Sequence, residues 1–311
     1  MRVVSRSRLL VFLVTAICAH NLAFCLKSSS DPDEPSNSTY HSTVSEVRLV
    51  FFATENNRPV QDLQKDDFAV IDDERVIRTF RSFSRTTALK LDLIVLFDSS
   101  DSVLPNFKQE MSAVMQLVSE WPRNSEDDLS VLSFSGTETH AVCAGDCRRS
   151  LTADQVDSSP KGGTTPLFDA LDTATSLLSK RRQPDVLPVI ILFSDGDDTV
   201  SKDSFGRMLK KTLASEVQVY AVDVNATAPS NGSATLQKVA EDSGGRYFHS
   251  GDGATKIFSE VINDLHSERI VTYALPQSSS DFHSVRILPT HNLNLQFRSR
   301  RGYYDPSNST H

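Results

Sequence analysis

The chain has 311 residues, of which 39% are hydrophobic and 23% are charged, and its formal net charge is −8. This length allows one large domain or two smaller ones, with enough apolar residues for an extensive core. The excess of acidic residues argues against nucleic acid and against anionic membranes as partners, because both repel a negatively charged surface.

The first 25 residues predict a secretory signal peptide. Three arginines precede an apolar run from Leu9 to Ala19, and no acidic residue occurs before Asp31. The run is short for a membrane-spanning helix, although an uncleaved anchor is the alternative interpretation. We therefore expect an exported protein, located in the periplasm, at the cell surface or outside the cell. Cleavage would remove three arginines and no acid, so the mature net charge would be about −11.

Residues 26–44 are rich in serine and poor in apolar residues, which is typical of a disordered linker. Two segments with a β pattern lie at the two ends of the remaining chain, at residues 45–88 and 268–304. In the first, a β pattern extends to residues 60–63, and strands at 68–71 and 76–83 form a predicted hairpin with a tight turn at residues 72–75. Because a few strands alone are seldom stable, we predict that the two segments pair in a small β-sandwich. Residues 305–311 form a short polar tail.

Between these segments, residues 89–267 alternate between apolar runs and amphipathic stretches. Leu93 to Phe97 and Val186 to Phe193 are continuous apolar runs, as expected for strands that are buried on both faces of a parallel sheet. Helices are predicted over 105–120 and 205–213, among others, between the strands. This alternation predicts an α/β fold with a doubly wound, mainly parallel sheet, inserted in the β-sandwich.

Two cysteines remain after removal of the leader, Cys143 and Cys147. In an exported protein, two cysteines this close predict a disulfide that closes a small loop. Free thiols are one alternative. A metal site is another, for which His140 is the only nearby candidate ligand.

Three loops that carry short oxygen-bearing side chains follow the predicted strands or precede a helix. Asp98, Ser100 and Ser102 form D-x-S-x-S directly after the strand that ends at Phe97, and Asp195 follows the strand that ends at Phe193. The third loop, Gly-Gly-Thr-Thr at 162–165, precedes a predicted helix. The carboxyl ends of the strands of an open α/β sheet are where ligands bind. Hard oxygen donors in this density favour a hard divalent cation.

This ordered set of motifs resembles the von Willebrand factor type A domain and its metal-ion-dependent adhesion site, from about Leu91 to His266. The flanking stretches at 66–70 and 300–304 resemble the exported bacterial proteins known as von Willebrand factor A-related. The resemblance implies five metal ligands, with the threonine counted back from the helix that follows it. These ligands are Asp98, Ser100, Ser102, Thr165 and Asp195. Thr164 is the alternative threonine when the count starts from the glycine pair.

The resemblance further implies a function. The cation would be Mg²⁺, with Mn²⁺ or Ca²⁺ as alternatives, and a Glu or Asp carboxylate of a partner protein would complete its coordination. Neutral hydroxyl ligands would leave the cation incompletely neutralised and therefore attractive to such an anion. A non-enzymatic, metal-dependent protein-binding module is thus the expected function, with neither nucleic acid nor a small-molecule substrate as a partner.

Two other hypotheses remain open at this point. The chain could be a metal-independent structural or scaffold component of an envelope assembly that makes its contacts through the β-sandwich. It could also be a cation-dependent hydrolase, but the sequence has no G-x-S-x-G, P-loop, H-E-x-x-H or G-x-G-x-x-G motif. Asp98 could suggest an aspartyl-phosphate enzyme, yet the next acid, Asp101, comes three residues later rather than two. We therefore do not expect an enzyme.

Overall fold

The computed structural model describes residues 45–122, 126–225, 230–277 and 280–305. The predicted signal peptide (1–25), the predicted linker (26–44) and residues 306–311 of the predicted tail lie outside the described residues. Within the described ranges, no helix combines the length and the apolar character needed to cross a membrane.

The described residues contain fifteen strands. In chain order they are β1 (Glu46–Glu55), β2 (Arg58–Pro59), β3 (Phe68–Asp72), β4 (Arg75–Ile77), β5 (Ser82–Arg85), β6 (Lys90–Asp98), β7 (Asp128–Ser135), β8 (Glu138–Cys143), β9 (Val186–Ser194), β10 (Gln218–Asp223), β11 (Tyr247–His249), β12 (Arg269–Ala274), β13 (Phe282–Pro289), β14 (Leu295–Ser299) and β15 (Gly302–Tyr304).

Seven α-helices lie between these strands. They are α1 (Phe107–Glu120), α2 (Cys147–Ser150), α3 (Ala153–Asp157), α4 (Leu167–Lys180), α5 (Phe205–Ala214), α6 (Asn231–Ser243) and α7 (Ala254–Ser267). Short 3-10 turns occupy Thr86–Ala88 and Ser250–Asp252.

The central sheet has six strands in the order β11-β10-β9-β6-β7-β8. All neighbours are parallel except β8, which is antiparallel to β7 at one edge. Successive side chains of β6 point to opposite faces: Leu93, Val95 and Phe97 pack in the core that includes α1 and α7, whereas Ile94 and Leu96 pack in the core that includes α4, α5 and α6. The predicted mainly parallel α/β sheet is therefore confirmed.

The two ends of the chain form two antiparallel sheets that pack face to face. One sheet has the order β14-β1-β12-β5 with β2 beside β1, and the other has the order β15-β13-β3-β4. Their shared core includes Leu49 and Phe51 of β1 and Phe68 and Val70 of β3, and the rings of Phe51 and Phe68 lie 4.9 Å apart. The predicted sandwich, built from both ends of the chain around the α/β sheet, is confirmed.

Several details differ from the sequence-based predictions. The predicted strand 76–83 divides into β4 and β5, which lie in different sheets, and no strand forms at residues 60–63. The predicted tight turn at 72–75 is present: Asp72, the buried last residue of β3, pairs with Arg75 of β4, and Asp73 and Glu74 lie between them at positive φ. The strand β8 was not predicted. Cys143 at its end forms a disulfide with Cys147, as predicted.

Candidate metal centre

The central parallel strands bring two predicted ligands to the same edge of the sheet. Phe97 of β6 and Phe193 of β9 are direct partners in the parallel ladder, so the chain leaves both strands side by side. Asp98 ends β6 and is fully buried, and Asp195 directly follows β9 and is 7% exposed. The sheet register therefore places two carboxylates at one edge, as the sequence predicts.

The carboxylate of Asp98 is held by neutral donors. Its Oδ1 accepts the backbone N–H of Ser100 at 2.9 Å, and its Oδ2 accepts the hydroxyl of Ser194 at 2.8 Å. Burial raises the pKa of Asp98 to about 6, against the lowering effect of these hydrogen bonds, and the negative charge of Asp195 raises it further. No positively charged side chain is among the groups that act on this pKa. The carboxylate is thus fixed in place but not electrically neutralised.

The loop after β6 is tied to the Gly-Gly-Thr-Thr loop by its backbone. The N–H of Asp101 donates to the carbonyl of Gly163 at 3.0 Å, and the N–H of Gly162 donates to the carbonyl of Ser99 at 2.6 Å. Gly162 has a φ of +84°, a backbone conformation that favours glycine. These bonds hold the Gly-Gly-Thr-Thr loop beside the D-x-S-x-S loop.

The hydroxyl oxygens of Ser100 and Ser102 lie 3.2 Å apart. Adjacent ligands of an octahedral Mg²⁺ ion at its usual bond length are about 3 Å apart, so this spacing is compatible with two neighbouring ligands of one ion. Ser100 is fully buried, whereas Ser102 is exposed. Ser100 therefore lies on the buried side of the candidate site with Asp98, and Ser102 lies on its solvent side.

The two adjacent threonines have different surroundings. Thr164 is exposed, and its hydroxyl donates to the carbonyl of Gly136 at 2.6 Å. Thr165 is only 3% exposed, and its backbone N–H and carbonyl both bond to Thr199 in the loop after β9. This arrangement favours Thr165 as the candidate ligand, because the hydroxyl of Thr164 already has a protein partner.

The loop after β9 is held by a close contact between two glycines. Gly196 has a φ of +82°, and a Cβ there would lie 2.1 Å from the carbonyl oxygen of Gly232 in α6. Gly196 therefore permits a close approach of the backbone of this helix. Asp195 receives the N–H of Asp197 at 3.2 Å. The contact with α6 restricts the backbone path directly after Asp195 at the edge of the sheet.

The five predicted ligands thus lie on three loops that are hydrogen-bonded to one another at a single edge of the sheet. Their donors are two carboxylates and three hydroxyls, all hard oxygens, which suits a hard divalent cation. The role of each residue as a metal ligand stays a prediction.

A second group of titratable side chains, which the sequence analysis did not identify, lies inside the sandwich. Nδ1 of His283 is 3.1 Å from Oδ1 of Asp72 and 3.1 Å from Oδ2 of Asp73, a spacing that could also hold a metal ion. Oδ2 of Asp72 accepts hydroxyl groups from Tyr273 and Tyr303, each at 2.7 Å. One signal was present in the sequence: His283 alternates with Val285 and Ile287 on the buried face of β13.

Three solved structures are among those to which the chain is similar. The chain resembles the proximal thread matrix protein 1 from the mussel byssus, with 18% identity, a TM-score of 0.48, and coverage of 62% of this chain but only 51% of that protein. It resembles BatB from Bacteroides thetaiotaomicron with 17% identity, a TM-score of 0.41, and coverage of 55% and 97%. It resembles an aerotolerance-related membrane protein from Bacteroides fragilis with 16% identity and a TM-score of 0.41, and the match covers 56% of this chain and 98% of that protein.

A search of curated proteins gives no match. A sequence model of the von Willebrand factor type A domain, however, matches residues 92–266. This range covers more than half of the chain. It includes the central sheet from β6 to β11 except the first two residues of β6, the helices from α1 to α7 except the last residue of α7, and the three loops at the sheet edge. The chain therefore belongs to the von Willebrand factor type A domain family.

Proposed function

We propose that the chain is an exported, non-enzymatic protein-binding module. A divalent cation, Mg²⁺ in the first instance, would be held by Asp98, Ser100, Ser102, Thr165 and Asp195 and would bind a Glu or Asp carboxylate of a partner. The observation that carries this proposal is the convergence of three loops, with five oxygen donors and no positively charged side chain acting on Asp98, at one edge of the sheet. The N-terminal leader pattern supports export.

The donor set explains why such a cation would still attract an anion. Three of the five donors are neutral hydroxyls, so the two carboxylates carry at most two negative charges, and both oxygens of Asp98 already accept hydrogen bonds from protein groups. A cation that is held partly through water keeps positive charge on its exposed side. The exposed position of Ser102 leaves that side open to a partner.

The surrounding charges would make partner binding depend on the cation. Asp101 and Asp197 are exposed beside the ligand loops and add negative charge to the edge when no cation is bound. An acidic side chain would be repelled from this edge and attracted once the cation is bound. Cation binding would therefore act as the condition for partner binding, rather than as a small addition to the affinity.

The first test is the thermal unfolding of the protein in EDTA and in Mg²⁺, Mn²⁺ or Ca²⁺. A cation at 100 times its Kd stabilises the native state by about 2.7 kcal/mol. We expect this rise in the wild type and its loss in Asp98→Ala, while Asp154→Ala, which removes an exposed carboxylate in α3, should behave as the wild type. A rise that survives in Asp98→Ala would exclude the proposed cation site.

The second test addresses the partner. Random peptides selected on the immobilised protein in Mg²⁺ should be enriched in Asp or Glu, and EDTA should release them. Binding that is indifferent to EDTA would contradict a carboxylate bound by the cation.

A further inference from the structure

Glu110 is an acidic residue in an apolar position. It lies in the first turn of α1, the helix that follows the D-x-S-x-S loop, and it faces inward together with Phe107, Met111 and Val114. The residue is only 5% exposed. Phe107, Met111 and Val114 recur at helical spacing, and Glu110 falls on the same face, which is the signal of its burial in the sequence. An ionisable group on the buried face of a helix requires an explanation.

The carboxylate of Glu110 has no protein partner among the described residues. Both Oε1 and Oε2 are shielded from solvent and accept no hydrogen bond within the part of the chain that the structure describes. A pocket of about 370 Å³ between α1 and α7 borders the residue, but the two oxygens have almost no accessible surface and so gain little from water in it. Burial of a carboxylate without donors or a counter-ion is strongly unfavourable.

The charges that act on Glu110 are those of Asp98 and Asp195, and both are negative. Together with burial, which has the largest effect, they raise its pKa well above the usual range. Glu110 also lines its pocket together with Phe193, which lies at the end of β9 two residues before Asp195, so the three carboxyl groups lie at the same edge of the sheet. The feature that would turn this repulsion into a favourable arrangement is a positive charge at the site of Asp98 and Asp195.

We propose that Glu110 is an outer acidic residue of the metal centre, placed behind Asp98 and Asp195 to stabilise the bound cation by its charge. It is a positioning residue and not one of the five ligands. The inference rests on the proposed function, because it requires a cation at the sheet edge. The cost of the buried carboxylate in the cation-free protein is then offset by tighter cation binding.

The test compares Glu110→Gln with the wild type by titration calorimetry with Mg²⁺ and Mn²⁺ and by thermal unfolding in EDTA. Gln preserves the size of the side chain and removes the charge. We expect the Kd for the cation to rise at least about tenfold, while the unfolding midpoint in EDTA stays equal or rises. A merely structural role would lower the midpoint in EDTA and leave the Kd unchanged, which would overturn the proposal.

Two further variants keep the test decisive. Glu120→Gln removes an exposed carboxylate from the same helix and should change neither the Kd nor the midpoint. Should Glu110→Gln fail to fold, Glu110→Met replaces it as a neutral side chain of similar length, with the same expectation. A wild type that binds no cation would refute the proposed function itself, whereas equal binding by the wild type and Glu110→Gln would refute only the role of Glu110.

Discussion

Two buried aspartates of this molecule are surrounded by different groups. Asp72 in the sandwich accepts two tyrosine hydroxyls, and its Oδ1 lies 3.1 Å from Nδ1 of His283. Asp98 at the sheet edge accepts a serine hydroxyl and a backbone N–H, and its charged neighbour is a second carboxylate, Asp195. The carboxylate of Asp72 thus has side-chain partners on three residues. The carboxylate of Asp98 has no positively charged side-chain partner among the described residues.

The comparison shows that burial of an acid does not by itself mark a binding site. The group in the sandwich satisfies a metal-ligand spacing, yet its separations are also those of ordinary hydrogen bonds between protein groups. The edge site has the opposite character, because its donors fix the carboxylates without neutralising them. We therefore propose a structural role for the Asp72 group and a cation-binding role for the Asp98 group.

The largest expected effect is on stability and comes from the sandwich. Asp72→Asn removes a buried carboxylate that accepts two tyrosine hydroxyls and contacts His283, and each buried polar group left without its partner costs about 1–3 kcal/mol. Denaturant unfolding should report this loss, while the stabilisation by Mg²⁺ stays that of the wild type. A loss of the Mg²⁺ effect in Asp72→Asn, with the effect retained in Asp98→Ala, would reverse the two assignments.

Glu268, located between α7 and β12, is a buried acid whose hydrogen bonding is intermediate between that of Asp72 and that of Glu110. It is fully buried; its Oε1 accepts the amide of Gln218 at 2.6 Å and the hydroxyl of Tyr220 at 3.3 Å, but Oε2 has no hydrogen-bond partner among the described residues. Burial raises its pKa from 4.5 to about 7, against the lowering influence of Arg298. Glu268 therefore binds a proton more tightly in the folded state than in the unfolded state.

This difference predicts a pH dependence with a definite sign. Between pH 4.5 and 7 the folded state retains a proton that the unfolded state has lost, so stability falls as the pH rises through this window, by up to about 3 kcal/mol. Glu268→Gln should flatten that part of the curve of unfolding free energy against pH, and Glu241→Gln, an exposed change in α6, should not. An unchanged slope in Glu268→Gln would show that other groups cause it.

The sequence predicts those features that depend on local pattern. The apolar runs that become β6 and β9, and the motifs directly after them, lie within a few residues of one another, so strand, loop and candidate ligands can be inferred together. The division of 76–83 into β4 and β5 could not be inferred, because β5 pairs with β12, almost two hundred residues away in the sequence. The Asp72 group could not be predicted for the same reason, because Asp72 contacts His283 only when β3 pairs with β13.

Glu110 was missed for a different reason. Its position on the apolar face of α1 can be inferred from the sequence, but its lack of a partner depends on what surrounds the end of the sheet. The choice between Thr164 and Thr165 is of the same kind, since adjacent identical residues can be distinguished only by the direction in which the backbone presents them. In both cases the contacts that bear on the role of the residue come from segments that are distant in the sequence.

The smallest expected effects separate the two threonines. Thr165→Val removes the hydroxyl of the candidate ligand but preserves the shape of the side chain, so the cation Kd should rise while stability in EDTA changes little. Thr164→Val removes the hydrogen bond to Gly136, which should cost about 1 kcal/mol of stability and leave the Kd unchanged. Calorimetry and unfolding of the two variants thus give opposite patterns if Thr165 is the ligand. The reverse pattern would identify Thr164, and it would require the Gly162–Thr164 loop to release its contact with Gly136 when the cation binds.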